Sequence, residues 1–175
     1  IYGTVLVEPP KPLNAENLEK IFQTNLIDVE YSLIKYVPKA GFLESYFLRH
    51  LYRNIKTILK ARAIGTPYEE ITRKINLRAE EYLKIRDLVV KALAEKDLES
   101  TVEALRNTPF YKNVQDALEI YQKEKDPLIF DTFLDRSFYE RLLGSLKKMK
   151  RDERKSLQSL LAYDIDGYII TAVLR

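Results

Sequence analysis

Residues 40–64 read AGFLESYFLRHLYRNIKTILKARAI, and in them Leu43, Phe47, Leu51, Ile55 and Leu59 recur at every fourth position. With 3.6 residues per turn that spacing keeps all five on one helix face, and Leu48, Tyr52 and Ile58 widen the stripe. A strand would instead alternate apolar and polar residues at every second position. Gly65 supplies a stop, and Thr66-Pro67-Tyr68-Glu69 reads as a capping box with proline at the first helical position. One helix therefore ends and another begins across a single residue.

The same logic extends along the chain. Asn14 caps a first helix through Leu18, Ile21 and Phe22, and 26–37 continues it until Pro38. Residues 80–96 form an amphipathic stretch carrying Ile85, Leu88, Val89, Ala92 and Leu93, and Asp97 caps the short segment 98–106. Pro109 separates a helix using Val114, Ala117, Leu118 and Tyr121. Asp126-Pro127 opens another through Leu128, Phe133, Leu134, Phe138 and Leu142, and a last helix from about Asp152 carries Leu157, Leu160, Leu161, Ile165, Tyr168 and Ala172. Asp166-Gly167, the sole hairpin-like dipeptide, sits inside that helical pattern. The expectation is an all-α, multi-helix bundle.

Ahead of the bundle, 1–13 reads as an extended β-branched run, Ile1–Val7, followed by the proline-rich linker Glu8-Pro-Pro-Lys-Pro12. Residue 1 is isoleucine, so the chain is expected to be cut from a longer one. The sequence divides into 14–108 as a first helical lobe and 109–175 as a second, incomplete one. Leu51–Lys60 and Asp166–Arg175 echo each other at an offset of 115 residues, which fits two related lobes, although amphipathic helices share such patterns generally.

Composition excludes several function classes. Zero cysteines in 175 residues rule out disulfide frameworks and thiolate metal sites within them. No apolar run approaches the ~20 residues that span a bilayer, so membrane association is expected to be peripheral. The net charge of +3 is the difference between 29 basic and 26 acidic residues, a nearly balanced surface that does not imply nucleic acid. Charged residues make up 31%, as in ion-pair-rich thermophilic proteins.

A catalytic centre does not emerge. The five glycines are isolated from one another, so no phosphate-cradling loop is present, and the lone His50 cannot form a two-histidine metal motif. His50 lies between Arg49 and Arg53, whose charges disfavour its protonation, and reads as an exposed or interfacial residue rather than a base for Ser45. Glu69-Glu70 and Glu80-Glu81 sit in first helical turns, where the macrodipole alone accounts for them. Asp164 and Asp166 are two apart and point to different faces. The expectation is a protein without catalytic residues, metal or cofactor. The run 147–155 (KKMKRDERK) gathers Lys147, Lys148, Lys150, Arg151, Arg154 and Lys155 at an interhelical turn. It reads as a solvated loop or as a contact with acidic headgroups or an acidic partner.

One stretch carries more than pattern: Arg53-Asn-Ile-Lys-Thr-Ile-Leu-Lys-Ala-Arg62, then Ala63-Ile-Gly-Thr-Pro-Tyr-Glu-Glu-Ile71. It resembles the signature of the C subunit of archaeal and bacterial V/A-type ATP synthases, the counterpart of the d subunit in vacuolar ATPases. Asn54, Ile55, Leu59 and Arg62 carry the likeness. Leu134-Asp-Arg-Ser-Phe-Tyr139, with Asp135 and Arg136, resembles a second family element, and 164–175, with Asp166 and Arg175, resembles a later copy of an Asp-x-x-Asn helix. The first copy keeps Asn54 but has Leu51 where the family's acid stands; the second keeps Asp166 but has Ile169 in place of asparagine.

The resemblance implies helical lobes about a pseudo-threefold axis and a non-catalytic central-stalk socket. That socket sits on the proteolipid rotor ring, at the cytoplasmic face of the membrane, receives the central-shaft subunits, and serves ion transport and ATP synthesis. Its implied partners are shaft and ring, with 147–155 as the membrane or ring contact, and no nucleic acid. The alternative is a helical adaptor or nucleic-acid-binding module using 147–155 with Lys56, Lys60 and Arg62, which requires steeply salt-dependent affinity.

Overall fold

A computed structural model describes residues 14–37 and 41–173; the side chains at 16, 160 and 171–173 are outside it. The 1–13 segment, Pro38, Arg175 and the side chains of Leu160 and Ala172 therefore lie outside the described residues. All regular structure among the described residues is helical: α1 (Ala15–Tyr36), α2 (Gly41–Phe47), α3 (Arg49–Ala63), α4 (Tyr68–Lys74), α5 (Arg78–Leu83), α6 (Arg86–Ala94), α7 (Leu98–Ala104), α8 (Tyr111–Glu124), α9 (Ile129–Lys147) and α10 (Arg151–Val173).

The amphipathic stripe of α3 organises the bundle. Leu51, Tyr52, Ile55, Ile58 and Leu59 are buried, and α4, α5, α6, α7 and α9 pack around them. Phe110, Phe130, Leu134, Phe138 and Leu142 close the same core from the second half of the chain, so one apolar cluster draws on residues from Phe42 to Leu161. Each fully buried aliphatic or aromatic side chain here contributes ~1.5–3 kcal/mol over its exposed state. A smaller cluster of Ile27, Phe47 and Ala79, with Tyr31, Ile34 and Tyr82 against it, ties α1 to α2 and α5.

The two clusters explain one departure from the expected single helix over 40–64. The helix is interrupted at Leu48, where Phe47 turns into the small cluster while Phe42 and Leu51 face the large one. The hydrogen-bond ladder bridges the interruption through Leu48 N–H to the Glu44 carbonyl (3.3 Å) and Tyr52 N–H to the Leu48 carbonyl (3.1 Å).

The stop at Gly65 is a Schellman motif. Gly65 adopts φ +71°, Thr66 N–H reaches the Ala61 carbonyl at 2.8 Å, and Gly65 N–H reaches the Arg62 carbonyl at 3.2 Å. The expected capping box beyond it does not form. Pro67, at ψ 148°, takes the N-cap position itself, so the helix starts at Tyr68 and Thr66 lies one residue too early to cap. The Pro67 carbonyl instead accepts from Glu70 and Ile71.

Asn14 and Asp97 do cap, accepting from Asn17 N–H at 2.8 Å and Ser100 N–H at 2.7 Å. Asp126 accepts from Leu128 N–H at 2.9 Å, just ahead of α9. The expected stretch over 80–96 is two helices: Lys84 takes the left-handed conformation (φ 57°) and the 6→1 bond from Ile85 N–H to the Glu80 carbonyl closes α5. Lys125 ends α8 in the same conformation.

Candidate functional site

Asn54 lies on the buried face of α3, and its Nδ2 donates to the Asn76 carbonyl and to Glu80 Oε1, both at 2.8 Å. One amide thus ties α3 to the start of α5 and to the loop before it. Glu80 is fully buried. The macrodipole alone therefore does not account for this residue: the helix turns Glu80 inward, where Asn54 and the residue's own first-turn N–H both bond its carboxyl. Leu51, one turn before Asn54, is packed in the core, and the carboxyl that accepts from Asn54 comes from a neighbouring helix.

Burial is the main influence on Glu80 and pushes its carboxyl above the ordinary range; the Asn54 bond opposes this and Glu81 adds to it. The folded protein therefore holds this proton more tightly than the unfolded chain. The contribution of Glu80 to stability is fully present below the unfolded carboxylate pKa and is lost as pH rises through the raised folded value. Glu80→Gln keeps the Oε1 acceptor and removes the charge. At pH 8 this variant is expected to melt ~2–4 °C higher than the parent, the change that about 1 kcal/mol makes in a chain of this size. The gap should close by pH 4 in thermal scans followed by circular dichroism.

Two ion pairs bridge α3 to α9. Lys56 Nζ stands 2.6 Å from Asp135 Oδ1, and Lys60 Nζ 2.8 Å from Asp131 Oδ2. These rungs cross a groove of about 610 Å³, bordered also by Arg49, Arg53, Tyr139 and Asp164. Tyr139 Oη donates to Asp164 at 3.4 Å, and its pKa is pushed up, chiefly by burial and next by the Asp164 charge.

His50, expected as exposed or interfacial, is buried where α1 meets α3. Its Nε2 lies 2.9 Å from Glu30 Oε2, its ring meets Phe47 edge-on at 5.3 Å, and Arg49 shares the same glutamate. Burial is the main cause that lowers its pKa; the Glu30 bond opposes, and Arg49 and Arg53 reinforce. The histidine anchors α1 to α3.

Of the other residues singled out by sequence, Ile55 and Leu59 are core, and Arg62 Nη2 donates to the Leu93 carbonyl at 2.8 Å, clamping α3 to α6. Arg136 is exposed and pairs with Glu140 one turn on. Asp166 is exposed on α10, unlike the buried Leu51 that it echoes at the 115-residue offset. Lys147, Lys148, Lys150, Arg151 and Lys155 are exposed at the turn between α9 and α10, and Arg154 is half-buried. Lys56, Lys60 and Arg62 are all engaged within the fold, which removes the α3 half of the nucleic-acid surface from the alternative reading.

A family model described as ATP synthase (C/AC39) subunit matches residues 1–175. The chain belongs to that family. Among its relatives, the A-type ATP synthase C subunit of Methanosphaera stadtmanae is 32% identical over 123 residues, covering 70% of this chain and 31% of the relative. That of Desulfurococcus sp. is 30% identical over 167 residues, covering 91% of this chain and 42% of the relative. That of Thermococcus onnurineus is 28% identical over 165 residues, covering 91% and 42%. The chain thus spans about two fifths or less of these curated relatives. No solved structure matches the chain. The C/AC39 membership agrees with the resemblance drawn from 53–71 and with the all-α fold.

Proposed function

We propose that this chain is part of a non-catalytic central-stalk subunit of an A-type rotary ATP synthase, a socket that takes the central shaft and passes torque to the proteolipid rotor ring. The observation that carries this reading is the family match over all 175 residues. The build suits such a part: helices cross-tied by Lys56–Asp135, Lys60–Asp131, Asn54–Glu80 and the Arg49–His50–Glu30 cluster resist deformation under load. The lobes 14–108 and 109–175 would act together, since one core joins them. ATP chemistry and proton or sodium translocation belong, in this reading, to other subunits. No helix among the described residues is long and apolar enough to cross a membrane. Attachment at the cytoplasmic face would therefore run peripherally, through the ring.

The exposed cations of 147–155 are the proposed ring-side contact. Lys150 and Arg151 sit at the N-terminal, positive end of α10, so their charges and the helix dipole add rather than cancel. Reversing Lys148, Lys150 and Arg151 to glutamate is expected to weaken ring binding on the order of tenfold, ~1.4 kcal/mol, most strongly at low salt. Unchanged binding in a ring pull-down would refute the contact.

The socket reading itself is tested by purifying the tagged full-length protein from native membranes and identifying its partners by mass spectrometry. Recovery of the catalytic head, shaft and proteolipid ring supports it; recovery of nucleic acid or unrelated proteins sinks it.

A further inference from the structure

α1 is amphipathic twice over. Its inner face, with Ile27, Tyr31 and Ile34, packs on α2 and α5. Its outer face carries Phe22, Leu26, Val29, Leu33 and Tyr36, between 51% and 85% exposed, with Leu18 at its head. The spacing of 4, 3, 4 and 3 residues is a heptad repeat, the seam that receives knobs from a facing helix rather than from a strand or a flat surface. The positions flanking this seam include Gln23, Asn25 and Ser32, all uncharged. Glu30, the one acid among them, is committed to Arg49 and His50. An apolar seam without available flanking charges is the character of a permanent interface, like a domain core cut open, and not of an exchangeable contact. Meanwhile the matched region takes up 42% of the Desulfurococcus relative and 31% of the Methanosphaera one, leaving more than half of each to pack somewhere.

We propose that the outer face of α1 is a helix-docking seam, and that its occupant is an amphipathic helix from a further part of the same subunit polypeptide, beyond these 175 residues. This rests on family membership and not on the torque-coupling role, and it is tested on the isolated subunit, so the two readings fail separately.

The full-length subunit is purified with Leu26→Cys or Leu33→Cys. Each is the lone cysteine of residues 1–175, and any cysteine elsewhere is replaced by serine. Benzophenone maleimide is attached, the sample is irradiated, and cross-linked peptides are mapped; Lys123→Cys on α8 serves as the exposed control. The expected result is an intramolecular link from both seam positions, and not from the control, to one stretch outside residues 1–175. A covalent dimer, a link to another protein, links confined to residues 1–175, or no link at all would overturn the proposal.

A second measurement removes any effect of the label. Leu26→Glu with Leu33→Glu is expected to lower the melting temperature of the full-length subunit while leaving that of the 175-residue chain unchanged. An equal shift in both, or a shift in neither, counts against the seam.

Discussion

Asn54→Leu is expected to destabilise the chain by about 3 kcal/mol, lowering its melting temperature by ~6–12 °C. The leucine fills similar space but donates nothing, so the Asn76 carbonyl loses a donor and the buried Glu80 carboxyl loses its hydrogen bond across the helix pair. A hydrogen bond to a charged group accounts for ~1.5–3 kcal/mol, and an orphaned buried acceptor adds about 1 kcal/mol or more. The double variant Asn54→Leu, Glu80→Leu should recover the part of the loss that comes from the unpaired Glu80 carboxyl, while the Asn76 carbonyl stays without its donor. Urea denaturation of the four proteins closes a double-mutant cycle. A coupling energy near zero would mean that the asparagine does not hold α5.

Leu59→Ala is the second large effect. Leu59 is fully buried at the centre of the main cluster, and truncation there should cost ~2–5 kcal/mol, depending on how far the surrounding side chains collapse into the gap. Leu33→Ala, the same chemical change on the outer face of α1, should stay within ~0.5 kcal/mol in this chain. Denaturant midpoints for the pair separate a leucine in the core from one that is not yet covered.

That contrast marks where sequence reading stops. Periodicity identifies α3 and its buried face through Leu51, Ile55 and Leu59, but it carries Leu43 and Phe47 into the same helix, whereas both lie on α2 and Phe47 turns into the other cluster. Asn14 and Asp97 are legible as caps because the short acceptor and the helix start are adjacent in sequence. The split at Lys84 is not legible, since the left-handed residue that normally advertises itself as glycine is a lysine; the break after Lys125, also left-handed, is legible only through Asp126-Pro127 beyond it. Periodicity on α1 does not say which of two apolar faces meets the core; only the position of α2 and α5 decides that.

Glu80 escapes sequence reading for a related reason. Its neighbour Glu81 is exposed and ordinary, and nothing local distinguishes the two. The signal lies 26 residues away, in an asparagine on an otherwise apolar face. A polar residue in a buried stripe asks for a partner, and a search for one leads to the acids of the next helices.

The paired lysines and aspartates between α3 and α9 also bear on how the body deforms. Each pair of like residues is four apart, and the order reverses between the helices, so the two are antiparallel with rungs about one turn, ~6 Å, apart. Sliding one helix along the other by half that distance breaks both rungs at once; sliding by the whole of it restores only one and strands a lysine and an aspartate. The two rungs therefore favour one register together, but each partly exposed pair is worth at most about 1 kcal/mol, so they act as a key that selects the alignment of α3 on α9 while the buried apolar contacts hold it.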